Sequence, residues 1–477
     1  MATGSGDTGS GVIARDGSPT GLVVQWLEAN VGGTVSAIRP QARWRPMWYV
    51  DLERDGENVE LVVRSERPDV NVFPLDHEMR LHRTLNEQGI PIPKVHGWMD
   101  RPRAYVMDRV EGRPDFDGVS LSDRDAVVDD YLQVLVRMHS LDVTPFVEAG
   151  IVRAERPEDQ GLVEINQLEQ VYRQHKNRPN PFAEFGISWV RRHRPITSGR
   201  QSAVVWDSGQ FMHCDGRLVS IIDVELGHIS DPMVDLAGWR QRESVLRCGD
   251  FNALYARYGE LSGEAVDMRS IQLFHIASTL WNELPFAHTF RHPQPGVDYM
   301  TNLQWANETN LYFTEGVYEY LDLEPPTVEV PEPTVRQVSG AHHHLVRTLR
   351  ELEHTRHAEM GDDGTGDFVH GDRRDVLGYK LRTTFRLARH LERYMEIGDA
   401  VERADLDDLA PVLGHRPDNW LEGEAQLEQF VIADAKTGEH DLALLDLFHK
   451  RLTRAQMLNG PLGSAMARHN PIQMFRS

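Results

Sequence analysis

The residues best suited to chemistry lie in one short stretch of the chain, between Ser202 and Glu225. It combines carboxylates and a carboxamide with β-prone runs and an Asp-Gly turn: Asp207, Gln210, Asp223 and Glu225. Carboxylate and amide oxygens are the ligands that Mg²⁺ prefers, and a carboxylate can also orient a hydroxyl group for attack on a phosphate. The combination of Asp223 with Glu225 and the following Asp231-Pro232 favours a metal site over a solvated turn.

This layout resembles the metal-binding hairpin of the aminoglycoside phosphotransferase and choline kinase family, whose fold is protein-kinase-like. In that family an HGDxxxxN loop precedes a strand pair that ends in Ile-Asp-x-Glu. The resemblance implies that Asp223 binds Mg²⁺, that Gln210 replaces the family's metal-binding Asn, and that Glu225 assists at the metal. It covers about residues 22–321 and implies ATP and Mg²⁺ as cofactors, with a hydroxyl group of a small molecule as acceptor.

The loop that should carry the catalytic base differs from the family pattern. Counted back from Gln210 without a gap, the family's Asp falls on Val205 and its His on Ala203, and neither side chain accepts a proton. If the loop is two residues shorter, Trp206-Asp207 takes the place of Gly-Asp, and Asp207 becomes the base. Three alternatives stand: a phosphotransferase that uses Asp207, a pseudokinase kept as a nucleotide- or ligand-binding scaffold, and an enzyme with another reaction on a similar ligand.

The N-terminal part resembles the nucleotide-binding side of the same family. Arg64 ends a strand where kinases carry a phosphate-binding Lys, and acyl-CoA-associated members of the family use Arg there. Glu78, on the next helix, would pair with Arg64 and fix its direction. The family's glycine-rich cover loop is replaced by a stretch with Arg43 and Arg45, whose guanidinium groups could hold phosphates. Residues 105–114 resemble the hinge that receives adenine.

Strands and a helix must position these N-terminal residues. Two β-prone runs flank Asp55-Gly56, which predicts a hairpin, and the apolar spacing from Leu75 to Gly89 predicts a helix. From residue 113 onwards helical patterns dominate. We therefore expect an α+β fold in which residues 22–323 form a kinase-like domain. A disordered tail, residues 1–21, is expected to precede this domain. The domain itself consists of a β-rich N-lobe, residues 22–112, and a helical C-lobe with the catalytic hairpin, residues 113–323.

A Pro-rich stretch at residues 324–335 predicts an extended linker. Beyond it, apolar side chains repeat with helical spacing, which predicts an all-α accessory domain over residues 336–477. This region resembles the partner protein of 4-hydroxyacyl-CoA kinases, which is encoded beside phosphotransferases of this type. The resemblance implies that the acceptor is a hydroxyacyl-CoA and that the chain is a fusion of the two proteins.

Two further patterns in this region suggest chemistry but lack the necessary neighbours. Residues 369–372 read Val-His-Gly-Asp, yet Leu377 stands where a metal ligand is needed and no Ile-Asp-x-Glu strand follows. We interpret the match as coincidental and keep Asp372 as an alternative base. The histidines at 342–344, with His354 and His357, have no Cys or clustered carboxylates nearby, so we do not expect a metal site there.

Composition limits the classes of partner. The formal net charge of −22 opposes general binding to nucleic acid. The two cysteines, Cys214 and Cys248, form no CxxC pair, which fits a reducing cytoplasm without disulfides or a thiolate zinc site. No apolar run reaches the length of about 18 residues expected of a membrane span. We expect a cytoplasmic protein whose partner is a small-molecule hydroxyl compound, and a homo-oligomer remains open.

Overall fold

An antiparallel sheet with strand order β1-β2-β3-β5-β4 forms the N-terminal part of the protein. The computed structural model describes residues 13–41, 45–67, 70–195, 197–291, 293, 297–360 and 376–475. Helix α1 precedes the sheet and α2 connects β3 to β4. The bounds are α1 Pro19–Asn30, β1 Thr34–Pro40, β2 Met47–Arg54, β3 Glu57–Ser65, α2 Leu75–Glu87, β4 Val95–Asp100 and β5 Arg103–Asp108. In the described part of the chain, the first helix begins at Pro19, within the segment 1–21 that the sequence predicts to be a tail.

The predicted hairpin around Asp55-Gly56 joins β2 to β3. Asp55 and Gly56 have φ values of 54° and 83°, and two consecutive left-handed residues suit the twist of a tight hairpin. The register pairs Arg54 with Glu57 across the turn and Met47 with Arg64 at the far end. The sheet therefore carries Arg64 to the edge of the lobe that faces the rest of the chain.

Helices dominate the region from residue 113 to 321, and short strands interrupt them where the catalytic hairpin was predicted. Strand β7 pairs with β8 in that hairpin, and β6 pairs with β9. This confirms the kinase-like α+β fold. The bounds are α3 Leu121–His139, α4 Thr144–Glu148, α5 Val163–His175, α6 Pro181–Arg192, β6 Ser202–Val204, β7 Phe211–Cys214, β8 Arg217–Ile221, β9 His228–Ser230, α7 Met233–Leu246, α8 Phe251–Ser262, α9 Met268–Ser278, α10 Glu283–Arg291 and α11 Tyr299–Leu321.

Residues 323–336 carry no helix or strand and lead into a second helical region. The last three of its four helices share a hydrophobic core with the preceding ones; the ring centroids of Phe182 on α6 and Phe448 on α15 are 5.5 Å apart. A separate accessory domain therefore stays a prediction. The bounds are α12 Ser339–Met360, α13 Val376–Leu413, α14 Trp420–Asp434 and α15 Asp441–Leu458. Among the described residues, no helix is both long enough and apolar enough to span a membrane.

A histidine near the end of the chain fastens the C-terminal segment to α11. The ring nitrogens of His469 lie 3.0 Å from Glu308 and 2.6 Å from Glu315. Burial lowers the pKa of His469, but the hydrogen bonds and charges of these two carboxylates outweigh it and raise the pKa to about 10. The imidazolium is therefore the form that holds the segment in place.

We predict that this contact makes stability depend on pH. The pKa of an unfolded His is about 6.5, so the contribution of His469 is fully present below pH 6.5 and is lost as pH rises towards 10. Urea unfolding of wild type and of His469→Gln at several pH values measures this contribution to the free energy of unfolding. We expect the difference in unfolding free energy to shrink between pH 6.5 and 10, and a constant difference would contradict the charged contact.

Candidate active site

The loop between β6 and β7 carries Asp207, and hydrogen bonds to a buried carboxylate hold this loop in place. Asp235, on α7, accepts hydrogen bonds from the backbone N–H groups of Val205, at 2.9 Å, and Trp206, at 2.7 Å. His139 holds the other side of the Asp235 carboxylate at 2.9 Å. Trp206 adopts a left-handed φ of 60°, which turns the chain so that Asp207 projects from the loop. Asp235 is thus a structural residue.

Asp207 is held in a defined orientation by two neighbours. Arg242, also on α7, donates through Nε to Oδ1 at 2.7 Å and through Nη2 to Oδ2. Gln210 donates its amide N–H to Oδ2 at 2.8 Å. A carboxylate has about four lone-pair directions, so the two oxygens retain one, on Oδ1, after these three bonds. That direction can accept a hydrogen bond from a substrate hydroxyl.

The charge state of Asp207 reflects opposing influences. Burial raises the pKa of its carboxyl group, the Arg242 guanidinium lowers it, and the negative charges of Asp223 and Glu225 raise it further, with a net rise above the ordinary value. A higher pKa makes the carboxylate a stronger base. The effect of Asp223 and Glu225 also shows that they share one electrostatic environment with Asp207.

The hairpin β7–β8 brings Gln210 beside Asp223, although the two are separated in sequence. The backbone N–H of Ile222 donates to the carbonyl of Gln210 at 3.0 Å, which extends the strand pairing to the residue before Asp223. Asp223 itself has a left-handed φ of 59°. This conformation is uncommon for a non-glycine residue and marks a turn whose geometry is set by its surroundings.

Arg64 connects the sheet, α2 and the hairpin. Its Nε lies 2.6 Å from Glu78 Oε1, and its Nη2 lies 2.5 Å from Asp223 Oδ1. Burial lowers the pKa of Arg64, yet the charges of Asp223 and Glu78 outweigh it and raise the pKa well above its usual value. The predicted pair of Arg64 with Glu78 is present, and the same guanidinium reaches the predicted metal residue.

Two more arginines converge on Glu225. Arg45, a buried residue of the segment between β1 and β2, pairs with Glu225 and lies 3.2 Å from Glu78. Arg67 Nη1 lies 3.5 Å from the other carboxylate oxygen of Glu225. Arg45 therefore lies within the ion-pair network, and its predicted contact with phosphates stays a prediction. Arg43 lies outside the described residues, as does Asp372.

Tyr105, on β5, completes the network on the side of the predicted hinge. Its hydroxyl donates to Glu78 at 3.0 Å, and burial together with the charge of Glu78 raises its pKa well above the ordinary value. Beyond β5 the chain passes to the C-lobe at Arg113, which exchanges two backbone hydrogen bonds of 2.9 Å with His213 on β7. The hinge segment is thus anchored to the catalytic hairpin.

Residues 37–274 match the model of the phosphotransferase enzyme family known as APH. Over these residues the chain is similar to that family. The match contains the whole ion-pair network, the loop with Asp207 and the hairpin. No curated protein sequence matches the chain.

Several solved phosphotransferases are similar to the chain. The macrolide 2′-phosphotransferase MphH from Brachybacterium faecium, as apoenzyme, is 16% identical, with 56% of this chain and 92% of that chain covered and a TM-score of 0.41. A thermostable mutant of the aminoglycoside phosphotransferase APH(4)-Ia, in its apo form, is 17% identical, with coverages of 62% and 98% and a TM-score of 0.42. The streptomycin-ATP complex of APH(2″)-IIa is 15% identical, with coverages of 54% and 86% and a TM-score of 0.39.

The oxygen donors of this candidate site fit a hard cation such as Mg²⁺. Asp223 and Glu225 offer carboxylate oxygens, and Gln210 uses its amide nitrogen towards Asp207, which leaves its amide oxygen as a donor. Within the part of the chain that the structure describes, no three His, Cys, Asp or Glu side chains converge as a ready-made metal site. A bound cation would therefore share Asp223 and Glu225 with Arg64 and Arg45.

The sequence alone did not point to several residues of the candidate site. Arg242 and Arg67 contact the predicted acids, and Tyr105 was assigned only to the hinge. Arg242 is 35 positions from Asp207, so no local spacing could signal the contact. The only usable signal is that a buried acid requires a positive partner, and the sequence alone does not identify which one.

Proposed function

We propose that the protein transfers a phosphoryl group from ATP to a hydroxyl group of a small molecule, in a reaction that uses Mg²⁺. The observation that carries the proposal is the convergence of Asp207, Gln210 and Asp223 at one end of the hairpin, facing the Arg64–Glu78 pair. Phosphoryl transfer needs little covalent chemistry from a protein, since positioning and charge stabilisation account for most of the catalysis. This arrangement supplies both.

In the proposed reaction Asp207 orients the acceptor. Its remaining lone pair accepts a hydrogen bond from the substrate hydroxyl and takes up the proton as the new O–P bond forms and the bond from the γ-phosphorus to the leaving ADP breaks. Arg242 and Gln210 prevent the carboxylate from rotating away. Bound at Asp223, Gln210 and Glu225, Mg²⁺ would neutralise charge on the phosphates. Arg64, held by Glu78, would steady the phosphate oxygens from the side of the sheet.

We further propose an anionic acceptor, such as a hydroxyacyl-CoA. Two cationic side chains border the acidic end of the site: Arg242 beside Asp207, and Arg67, whose guanidinium lies 5.2 Å from the ring centroid of Phe286 on α10. Arginine suits phosphate and carboxylate groups, and the aromatic ring suits an apolar chain. A cytoplasmic location belongs to the same proposal and is supported by the free thiols of Cys214 and Cys248.

One observation favours a nucleotide-binding scaffold as second candidate. Arg242 engages both oxygens of Asp207, and arginines engage both Asp223 and Glu225. If substrates do not displace any of these pairs, the acids remain neutralised and the site binds ligands without transferring phosphate. The two candidates differ in whether product forms.

Turnover measurements separate the candidates. The chain is incubated with ATP and Mg²⁺ and with three groups of hydroxyl compounds: hydroxyacyl-CoA thioesters, the corresponding free hydroxy acids, and aminoglycosides. Mass spectrometry then detects a gain of one phosphate. We expect phosphorylated thioester and little product from the cationic aminoglycosides. Nucleotide binding without any phosphorylated product would support the scaffold.

A further inference from the structure

The antiparallel hairpin of α12 and α13 carries a repeating apolar pattern that its own contacts do not use. On α12 and the residue before it, uncharged side chains recur with the alternating spacing of three and four that coiled coils require: Val338, Ala341, Leu345, Thr348 and Leu352. On α13 a step of seven residues from Leu377 to Thr384 is followed by steps of three, four and three to Leu387, Leu391 and Tyr394. We call these ten residues the heptad face. Seven-residue steps on both helices are unusual for a solvated surface.

Nine of the ten side chains of this face are exposed, and Leu387 is half-buried. Leu345, Leu352, Leu377, Leu391 and Tyr394 retain between 46% and 55% of their accessible surface. Elsewhere on α12, Val346 is buried against the hairpin partner. Helix α12 thus buries one narrow stripe and leaves a second apolar stripe in solvent.

Ion pairs fix how the two helices face each other. His343 lies 3.4 Å from Glu392, and Arg382 donates to Glu353 at 3.0 Å. These contacts set an antiparallel register. The ion pair of Arg336 with Asp399 follows the same register. At about 100° per residue, both stripes of the heptad face turn to the same side of the hairpin.

One side of α13 packs on the rest of the protein. Ile397 and Val401 form a buried cluster with Leu458 of α15, and His390 Nδ1 bonds the carbonyl of Leu458 at 2.8 Å. Tyr394 lies at the edge of this contact, since residues three positions apart are neighbours on a helix, yet it stays 46% exposed. Most of the heptad face therefore lies outside this contact and is in solvent.

We propose that this face binds a second copy of the chain, so that two α12–α13 hairpins form an antiparallel four-helix bundle in a symmetric dimer. A two-helix face of this type is self-complementary about a two-fold axis, as the commonest oligomers require. Left-handed four-helix bundles use the same heptad spacing to build their cores. The proposal is independent of the proposed reaction.

Size and charge support a second copy as the occupant. A helix of 22 residues is about 33 Å long and about 10 Å wide, so two helices offer about 600 Å², near the roughly 800 Å² per partner of a stable interface. Two chains with a net charge of −22 repel each other. Helix α12, however, has three arginines and three glutamates, and residues 376–398 have an excess of positive charge. The hairpin is therefore a region where two acidic chains can meet.

Sedimentation equilibrium of the full chain tests the dimer. We expect twice the chain mass for wild type, and an increase of about 100-fold or more in the dissociation constant for the double variant Leu345→Glu/Leu391→Glu, because each chain would bury two unpaired carboxylates. The matched control is Leu121→Glu/Leu421→Glu, which places the same charges at two exposed leucines outside the face and should remain dimeric.

A conservative variant separates loss of the interface from loss of the fold. Leu345→Met/Leu391→Met keeps the apolar character and should dimerise like wild type, while circular dichroism melting should show the Glu variant to be folded. A wild-type chain that sediments as a monomer, or that binds lipid vesicles through this face instead, would overturn the proposal. So would a Glu variant that keeps the wild-type dissociation constant.

Discussion

Asp207→Asn is expected to lower the rate of phosphoryl transfer by about 10²–10⁴-fold, the usual contribution of a general base, while leaving nucleotide affinity nearly unchanged. The amide keeps the size of the carboxylate but cannot accept the proton of the hydroxyl. The bidentate contact with Arg242 is also weakened. ADP release with the best acceptor of the panel measures the rate, and calorimetric titration with ATP measures the affinity.

Asp129→Asn is the matched control for this prediction. Asp129 on α3 also pairs with an arginine, Arg257, at 2.9 Å, but the pair is half exposed and lies outside the site. Its removal should leave the rate within twofold or so of wild type, since surface pairs contribute about 0–1 kcal/mol. If Asp207→Asn keeps full turnover, the base lies elsewhere, and Asp372 becomes the next residue to replace.

Replacing Arg64 by Met is expected to destabilise the protein by about 3–5 kcal/mol, because removal of one partner of a buried ion pair leaves an uncompensated charge. Glu78 and Asp223 would both lose their contact with the guanidinium, and the two lobes would lose a link between sheet and hairpin. ATP affinity should fall as well. Urea unfolding and ATP titration measure the two effects.

The pair of Arg39 with Asp51 provides a control within the same sheet. Arg39 Nη1 lies 2.8 Å from Asp51 on the neighbouring strand, but the pair is partly exposed. Arg39→Met should therefore cost no more than about 1 kcal/mol. Equal losses for Arg39→Met and Arg64→Met would show that the network around Asp223 has no special role in coupling the lobes.

Much of the fold could be predicted from local patterns. The turn at Asp55-Gly56, the amphipathic α2 and the hairpin around Asp215-Gly216 depend on neighbouring residues, so their sequence periodicity predicts them well. The pairing of Arg64 with Glu78 followed from the resemblance, since a strand and the next helix carry them. These elements carry the acids and the first arginine of the candidate site.

The rest of the site depends on contacts between distant positions. Arg64 and Asp223 are 159 positions apart, and Arg45 and Glu225 are 180 apart. Such pairs form only when the lobes close on each other, and no spacing in the sequence encodes them. The same reason applies to the helices after the linker, whose apolar stripes predict helices but not the shared core with Phe182.

Binding of ATP in the presence and absence of Mg²⁺ tests the account most directly. A ligand that binds the folded state raises the melting temperature, so differential scanning fluorimetry with millimolar ATP can detect it without knowledge of the acceptor. We predict stabilisation of wild type by ATP that is larger with Mg²⁺, and that this Mg²⁺ dependence disappears in Asp223→Asn. No shift of the wild-type melting temperature at millimolar ATP with Mg²⁺ would contradict the account.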